Sequence, residues 1–195
     1  MGRSARVDRT TGETAILVVL DLDGRGEARI DTPVGFFNHM LNTLARHSGM
    51  DLEVKARGDV DVDYHHLVED TGIVLGQALD QALGDKKGIE RFGHALVPMD
   101  DALALAAMDL SGREHFSFDA RFSAPKVGDF DTELVEEFFY GVVRGGKLTL
   151  HLKLLDGANT HHAIEALFKA FARALREAVA LKDPQGGIPS TKGVL

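Results

Sequence analysis

At 195 residues, with 44% hydrophobic and 27% charged residues, the chain has the composition of a globular protein, either one domain or two small halves sharing a core. A formal charge of −8 argues against a broad basic surface for nucleic acid, though not against a local cationic pocket, and the absence of cysteine excludes disulfides and thiolate metal sites. No apolar run reaches membrane-spanning length, and the first residues lead into none long enough for a signal peptide, so the expectation is a cytoplasmic protein.

Residues 14–20 (TAILVVL) read as a buried strand, followed by a turn at Asp23-Gly24-Arg25-Gly26 and an alternating strand over 27–31. Within 33–47, Phe37, Met40, Leu41 and Leu44 form the i, i+3, i+4, i+7 stripe of a helix, with Gly49 as its stop. Leu52, Val54 and Ala56 alternate with Glu53, Lys55 and Arg57 in a half-buried strand. A helix beginning near His65 carries Val68, Leu75, Leu79 and Leu83 on its buried side.

The same order then returns. At a displacement of 88 residues, the run from Leu17 to Arg25 falls on the run from Leu105 to Arg113, and Asp31 falls on Asp119. Beyond a longer loop over 123–131 the displacement is 96: Leu52, Val54 and Ala56 meet Leu148, Leu150 and Leu152, while His65, His66 and Glu69 meet His161, His162 and Glu165. Polar identities repeat as well as apolar alternation, so the chain reads as a tandem duplication, with repeat 1 over about 3–88 and repeat 2 over about 89–183. The expected fold is α/β of the α+β kind: duplicated half-domains fused into one domain over 1–183, their sheets packed on a helical layer. Residues 184–195, rich in Gly and Pro and without periodicity, read as a flexible tail.

The chemistry concentrates in Asp63-Tyr64-His65-His66-Leu67-Val68-Glu69-Asp70 and Asn159-Thr160-His161-His162-Ala163-Ile164-Glu165. On a helix, spacings of four and three residues bring both imidazoles and the carboxylate of HHxxE to a common face. Such nitrogen and oxygen donors suit Mn, Fe and Zn, and two copies at equivalent places point to metal binding. His39 precedes His65 by 26 residues, and the matching position in the second half falls near Glu136 and Glu137, so these helices offer a fourth ligand to each set. The plainer alternatives are a solvated helix face for the two glutamates and a satisfied core histidine for His39. Arg91, Arg113 and Lys192 are scattered cations. Pro189-Ser190-Thr191-Lys192-Gly193 combines hydroxyls, backbone N–H groups and an ammonium, a set suited to a phosphate oxyanion, without the spacing of a P-loop.

These two motifs, with Phe36-Phe37-Asn38-His39-Met40-Leu41, Asp109-Leu110-Ser111-Gly112-Arg113 and the continuation Ala166-Leu167-Phe168-Lys169-Ala170-Phe171, resemble the imidazoleglycerol-phosphate dehydratase family. The resemblance runs nearly end to end, from Arg9-Thr10-Thr11-Gly12-Glu13-Thr14 to Gly193. It implies a hydro-lyase of histidine biosynthesis that converts imidazole glycerol phosphate to imidazole acetol phosphate and water. It also implies two manganese ions per active site, a fold like the second domain of ribosomal protein S5, and a homo-oligomer of 24 subunits with active sites between them. Carried onto this chain, the metal ligands are His39, His65, His66, Glu69, Glu137, His161, His162 and Glu165, with Glu137 standing where many members have His. The implied substrate contacts are Glu13, His47, Arg91, Arg113, Ser190 and Lys192, the cations and Ser190 on the phosphate. Glu165 or Glu69 is the group that takes or gives the proton.

The chemistry agrees with that assignment. The proton to be removed lies on a carbon with no adjacent carbonyl. A ring that loses its own N–H proton can expel the neighbouring hydroxyl, after which the next C–H is acidic, and metal ions on the ring nitrogens act as Lewis acids and template. The competing readings are a metal-dependent hydrolase that releases phosphate, a non-catalytic protein whose HHxxE pairs join subunits, and an S5-like RNA-binding module, which the negative charge disfavours.

Overall fold

The structure is a computed structural model that describes residues 2–183 and 186–195; Met1 and the first two residues of the expected tail, Pro184 and Gln185, lie outside the described residues. The first half contains β1 (Ser4–Thr10), β2 (Thr14–Asp21), β3 (Ala28–Asp31), α1 (Gly35–Ser48), β4 (Asp51–Gly58) and α2 (His65–Leu83). The second contains β5 (Phe92–Met99), β6 (Ala102–Asp109), β7 (His115–Asp119), β8 (Lys126–Val127), β9 (Phe130–Asp131), α3 (Leu134–Gly146), β10 (Thr149–Asp156) and α4 (Thr160–Ala178).

The two four-stranded sheets have the same plan, β1-β2-β4-β3 and β5-β6-β10-β7. In each, the last pair is parallel and the others antiparallel. Alternation sets the faces: Ile16, Val18 and Leu20 are buried against helices, whereas Leu17 and Val19 are half-exposed on the far side. Three features were not anticipated from the sequence. β1 and β5 complete the sheet edges, and a short hairpin of β8 and β9 folds within the 123–131 loop. β1 carries only Ala5 and Val7 as apolar residues, so its alternation is faint.

The internal register also corrects the sequence comparison. Leu20 pairs with Leu52, and Met108, its counterpart, pairs with Leu150. The third strands therefore correspond at a displacement of 98 rather than 96, and Leu52 matches Leu150, not Leu148. A slip of two keeps every side chain on its own face, so alternation cannot detect it. The same displacement relates α1 to α3. Gly49 and Lys147 end these helices in left-handed conformations, their N–H groups bonded to the carbonyls of Ala45 and Val143. His39 thereby falls on Glu137.

The helices of the two halves meet between the sheets, and they pair across the duplication. α1 packs on α4 and α2 on α3, with α2 against β1 and β2 and α4 against β5 and β6. Phe37, Phe138 and Phe168, from α1, α3 and α4, are fully buried in one aromatic chain, with ring centroids 5.4 and 5.3 Å apart. The α2–α3 contact is made backbone to backbone. A Cβ on Gly72 would lie 2.3 Å from the Phe138 carbonyl oxygen, and one on Gly145 only 2.1 Å from that of Ile73, so these positions admit no side chain. Among the described residues, no helix is long and apolar enough to cross a membrane.

Candidate active site and metal centre

Both HHxxE motifs lie in the first turns of the long helices, and side-chain oxygens start those turns. Asn159 Oδ1 accepts the His162 N–H at 3.1 Å, and Asp63 Oδ1 accepts the His65 N–H at 2.7 Å. Within α4, His161 Nε2 lies 3.4 Å from Glu165 Oε2; from α1, His39 Nε2 lies 3.6 Å from the same oxygen. The three ligand atoms are all within 4.8 Å of one another, the one group of three acidic or imidazole side chains so placed among the described residues. Phe36 sits edge-on to both imidazoles, at 6.4 and 5.1 Å between centroids, and is itself backed by Phe130. The His39 side chain is 49% exposed, which removes the core-histidine alternative.

Glu165 is buried. Burial pushes its carboxyl upward, but the bond and charge of Lys169, with His39 and His161, more than offset this and hold it below the ordinary glutamate value. Lys169 Nζ is 2.8 Å from Oε1, the oxygen that faces away from the imidazoles, and also contacts Met99 Sδ at 3.1 Å. The sequence reading did not single out Lys169 in this role, although its place four residues after Glu165 was the available signal. His47, at the end of α1, is held below the ordinary histidine value by burial first, then by Lys169 and Arg173.

The equivalent region of the first half is more open. His65 Nε2 is 3.9 Å from Glu69 Oε2, and Arg144 of α3 bonds Glu69 Oε1 at 3.1 Å. Glu137 does not join them; it lines a surface hollow with Glu114, His115, Glu136 and Tyr140. Glu136 is exposed, as the solvated-face reading expects, and Glu137 is half-buried.

Neither HHxxE motif brings both of its histidines to its glutamate. The His161 and His162 rings are 6.2 Å apart and nearly perpendicular, and His65 and His66 repeat this at 6.1 Å. His162 turns to Asp101, 2.6 Å from Nδ1, and His66 turns to Asp59 at 2.9 Å with Glu13 3.9 Å away. The bond to Asp59 raises His66 above the ordinary histidine value. Nothing local in the sequence marks Asp59 or Asp101, because loop and hairpin geometry bring them to the helices.

The expected phosphate residues gather elsewhere. Arg91, at a left-handed φ of 73°, bonds Asp109 through Nε and one terminal nitrogen (2.7 and 3.1 Å) and the Pro189 carbonyl through the other (2.9 Å). Ser111 Oγ accepts the Arg113 N–H, and Gly112 between them lies against Leu195. In the tail, Ser190 Oγ accepts the Lys192 N–H at 3.2 Å. Arg91 and the tail thus meet at Pro189, and the end of the chain crosses the Arg113 turn. Within one chain, the candidate ligands and substrate residues fall into separate groups.

Fold and site together define a duplicated two-sheet α+β protein with a His/Glu cluster suited to a cation at the start of a long helix. The family model described as imidazoleglycerol-phosphate dehydratase matches residues 32–175. Proteins of that name from Desulforamulus reducens and Granulibacter bethesdensis are 56% identical over 195 residues and 58% identical over 197, each alignment covering 100% of both chains. The crystal structure of the enzyme from Staphylococcus aureus superposes with a TM-score of 0.83 at 46% identity, covering 91% of this chain and 99% of that one. The Pyrococcus furiosus structure gives 0.83 at 40%, covering 97% and 100%. The chain belongs to the imidazoleglycerol-phosphate dehydratase family, and is a hydro-lyase of histidine biosynthesis that acts on a small phosphate ester.

Proposed function

We propose that the dehydration of imidazole glycerol phosphate to imidazole acetol phosphate takes place at sites that each hold two Mn(II) ions, built between the subunits of a cytoplasmic homo-oligomer of 24 chains. The observation that carries this reading is the convergence of His39, His161 and the ionised Glu165 within 4.8 Å. Two neutral imidazoles and a carboxylate fit Mn(II), and Glu137, in the place of His39 in the other half, adds a second carboxylate for an ion that favours oxygen. The remaining ligands of the reading are His65, His66, Glu69 and His162. His66 and His162 face away from the glutamates of their own motifs, which supports completion of the sites by neighbouring chains.

When bound, the metal supplies Lewis-acid polarisation of the substrate imidazole and a template for it. Glu165 is held ionised and ready to accept the proton, with Glu69 as its counterpart. Phe36 and Lys169 fix the imidazoles and the carboxylate in place. Arg91 has five N–H donors, three of them engaged by Asp109 and Pro189, which leaves two for phosphate oxygens beside Arg113, Ser190 and Lys192. Glu13 and His47 are the remaining substrate contacts of the reading. It takes the two repeats, up to residue 183, as one duplicated domain, and the segment carrying Ser190 and Lys192 as one that folds over the phosphate and excludes water.

Turnover by chelator-stripped protein, before and after Mn(II), tests this reading by following the ketone product. Ketone that forms only with metal supports it. Metal binding and assembly without ketone would favour the scaffold alternative, and release of inorganic phosphate the hydrolase.

A further inference from the structure

The β5–β6 hairpin turns on two residues, Asp100 and Asp101, since Met99 pairs with Ala102. Its Asp101 carboxylate is divided between two tasks. Oδ2 accepts the backbone N–H groups of Ala158 and Asn159, both at 2.8 Å, at the entry to α4. Oδ1 faces His162 Nδ1 at 2.6 Å. An ionised carboxylate only accepts, so the nitrogen facing it carries the proton, and in the neutral ring the lone pair is then on Nε2. Two backbone N–H groups on one oxygen and the His162 ring on the other give Asp101 the surroundings of an acceptor-only carboxylate. On the other side of the ring, the exposed Asp100 places Oδ2 3.5 Å from Nε2, a long contact that a cation at that nitrogen would replace.

We propose that Asp101 is a positioning residue that locks His162 in its Nδ1–H tautomer and so presents Nε2 to a cation, with Asp59 doing the same for His66 by a weaker device. The inference rests on the reading of His162 and His66 as metal ligands. The two devices are not copies of each other. The duplicate of Asp101 is Glu13, which stays 3.9 Å from His66, and the first half holds its ring from the loop after β4 instead. Asp101 is pinned by two backbone donors. Asp59 makes one side-chain bond among the described residues, to His66, so no second bond fixes which of its oxygens faces the ring.

This difference gives the isosteric amides opposite outcomes. In Asp101→Asn, the two backbone N–H groups claim the amide oxygen and turn the NH2 toward Nδ1. That nitrogen must then accept, and the proton moves to Nε2, where it blocks a ligand bond. In Asp59→Asn, the side chain can turn its oxygen to Nδ1 and preserve the tautomer. Removal of an outer partner of a metal-binding imidazole costs about 10–100-fold in metal affinity, and Asp101→Asn belongs in that range while Asp59→Asn stays within a few-fold of the parent.

The test is a magic-angle-spinning nitrogen spectrum of 15N-histidine-labelled, chelator-stripped full chain, with the His162 signal assigned by its loss in His162→Gln. A parallel titration with Mn(II) alone is read by the resonance of the free ion. An Nδ1–H tautomer at His162 that changes to Nε2–H in Asp101→Asn, with the larger affinity loss there than in Asp59→Asn, supports the proposal. An Nε2–H tautomer in the unsubstituted protein overturns it without reference to any variant. So does equal loss of affinity in the two amides. If the tautomers behave as expected but the unsubstituted protein binds no Mn(II), the ligand reading falls while the tautomer lock stands.

Discussion

Lys169 Nζ lies 2.8 Å from Glu165 Oε1, on the side of the carboxylate opposite His161, so one oxygen serves the ammonium and the other serves the imidazoles. The two side chains are 18% and 10% exposed, and neither charge is well hydrated. Lys169→Met leaves a carboxylate in that environment without its main partner and lowers the stability of the metal-free protein by about 1–3 kcal/mol. Combining it with Glu165→Gln recovers part of the loss, because no unpaired charge remains. Urea unfolding of the four proteins at one concentration measures the coupling, and strictly additive losses would count against the pair.

His47 and His66 link stability to pH in opposite directions. Burial, with Lys169 and Arg173, lowers His47 from 6.5, so the unfolded chain takes up a proton there before the folded one does. Its contribution is complete above 6.5 and is lost as pH falls through the lowered folded value. His66 is raised from 6.5 by Asp59, so its contribution is complete below 6.5 and is lost as pH rises through the raised value. In thermal unfolding of metal-free protein, His47→Gln flattens the acid-side decline, whereas His66→Gln leaves that decline in place. An acid limb unchanged by His47→Gln refutes the assignment.

The cluster His39, His161 and Glu165 predicts a graded metal response. Replacing any one by Ala, or Glu165 by Gln, lowers Mn(II) affinity by more than the about 10–100-fold expected for an outer partner. Glu137→His substitutes imidazole for oxygen and shifts preference from Mn(II) toward Zn(II), measurable by competition between the two ions. Activity falls toward acid pH, since the ligand imidazoles must be neutral, and the raised His66 brings that fall in from above the ordinary histidine value.

The glycine contact between α2 and α3 is a packing requirement. Gly145→Ala places a methyl group 2.1 Å from the Ile73 carbonyl oxygen and destabilises the protein by about 1–3 kcal/mol as the helices separate. Gly35→Ala, at the open start of α1 with nothing within 4 Å, serves as the control and changes stability little. Equal midpoints for the two variants in urea would show that the seam tolerates separation.

Deletion of residues 189–195 removes the Pro189 carbonyl from Arg91 and takes Ser190 and Lys192 with it. The expected result is a raised KM for the phosphate ester together with a lower kcat. Kinetics unchanged by the deletion would exclude a role for the tail in the reaction.

The repeat, the helices and the HHxxE pairs were legible because they depend on local spacing: three and four residues on a helix, two on a strand. What escaped depends on contacts between distant segments. β1 was faint because an edge strand needs few apolar residues, and the two-residue offset of β10 was invisible because alternation has a period of two. The split of each histidine pair was equally hidden. Spacing alone put His162 with Glu165, but Asp101, 61 residues earlier and delivered by the β5–β6 hairpin, turns it aside. Arg113 and Lys192 were scattered cations in the sequence. The fold brings the tail that carries Lys192 down onto the Arg113 turn.

The exchange of helix partners across the repeat bears on how such a chain arose. One half alone has a sheet and two helices, but the faces of α1 and α2 that meet α4 and α3 have nothing to cover them. A single unit of this design needs a second copy to cover those faces, each lending its first helix to the other's last. The tandem repeat supplies that second copy within one chain. It also released the halves from identity, so that Gly72 now stands where the other half has Phe168, and His39 where it has Glu137.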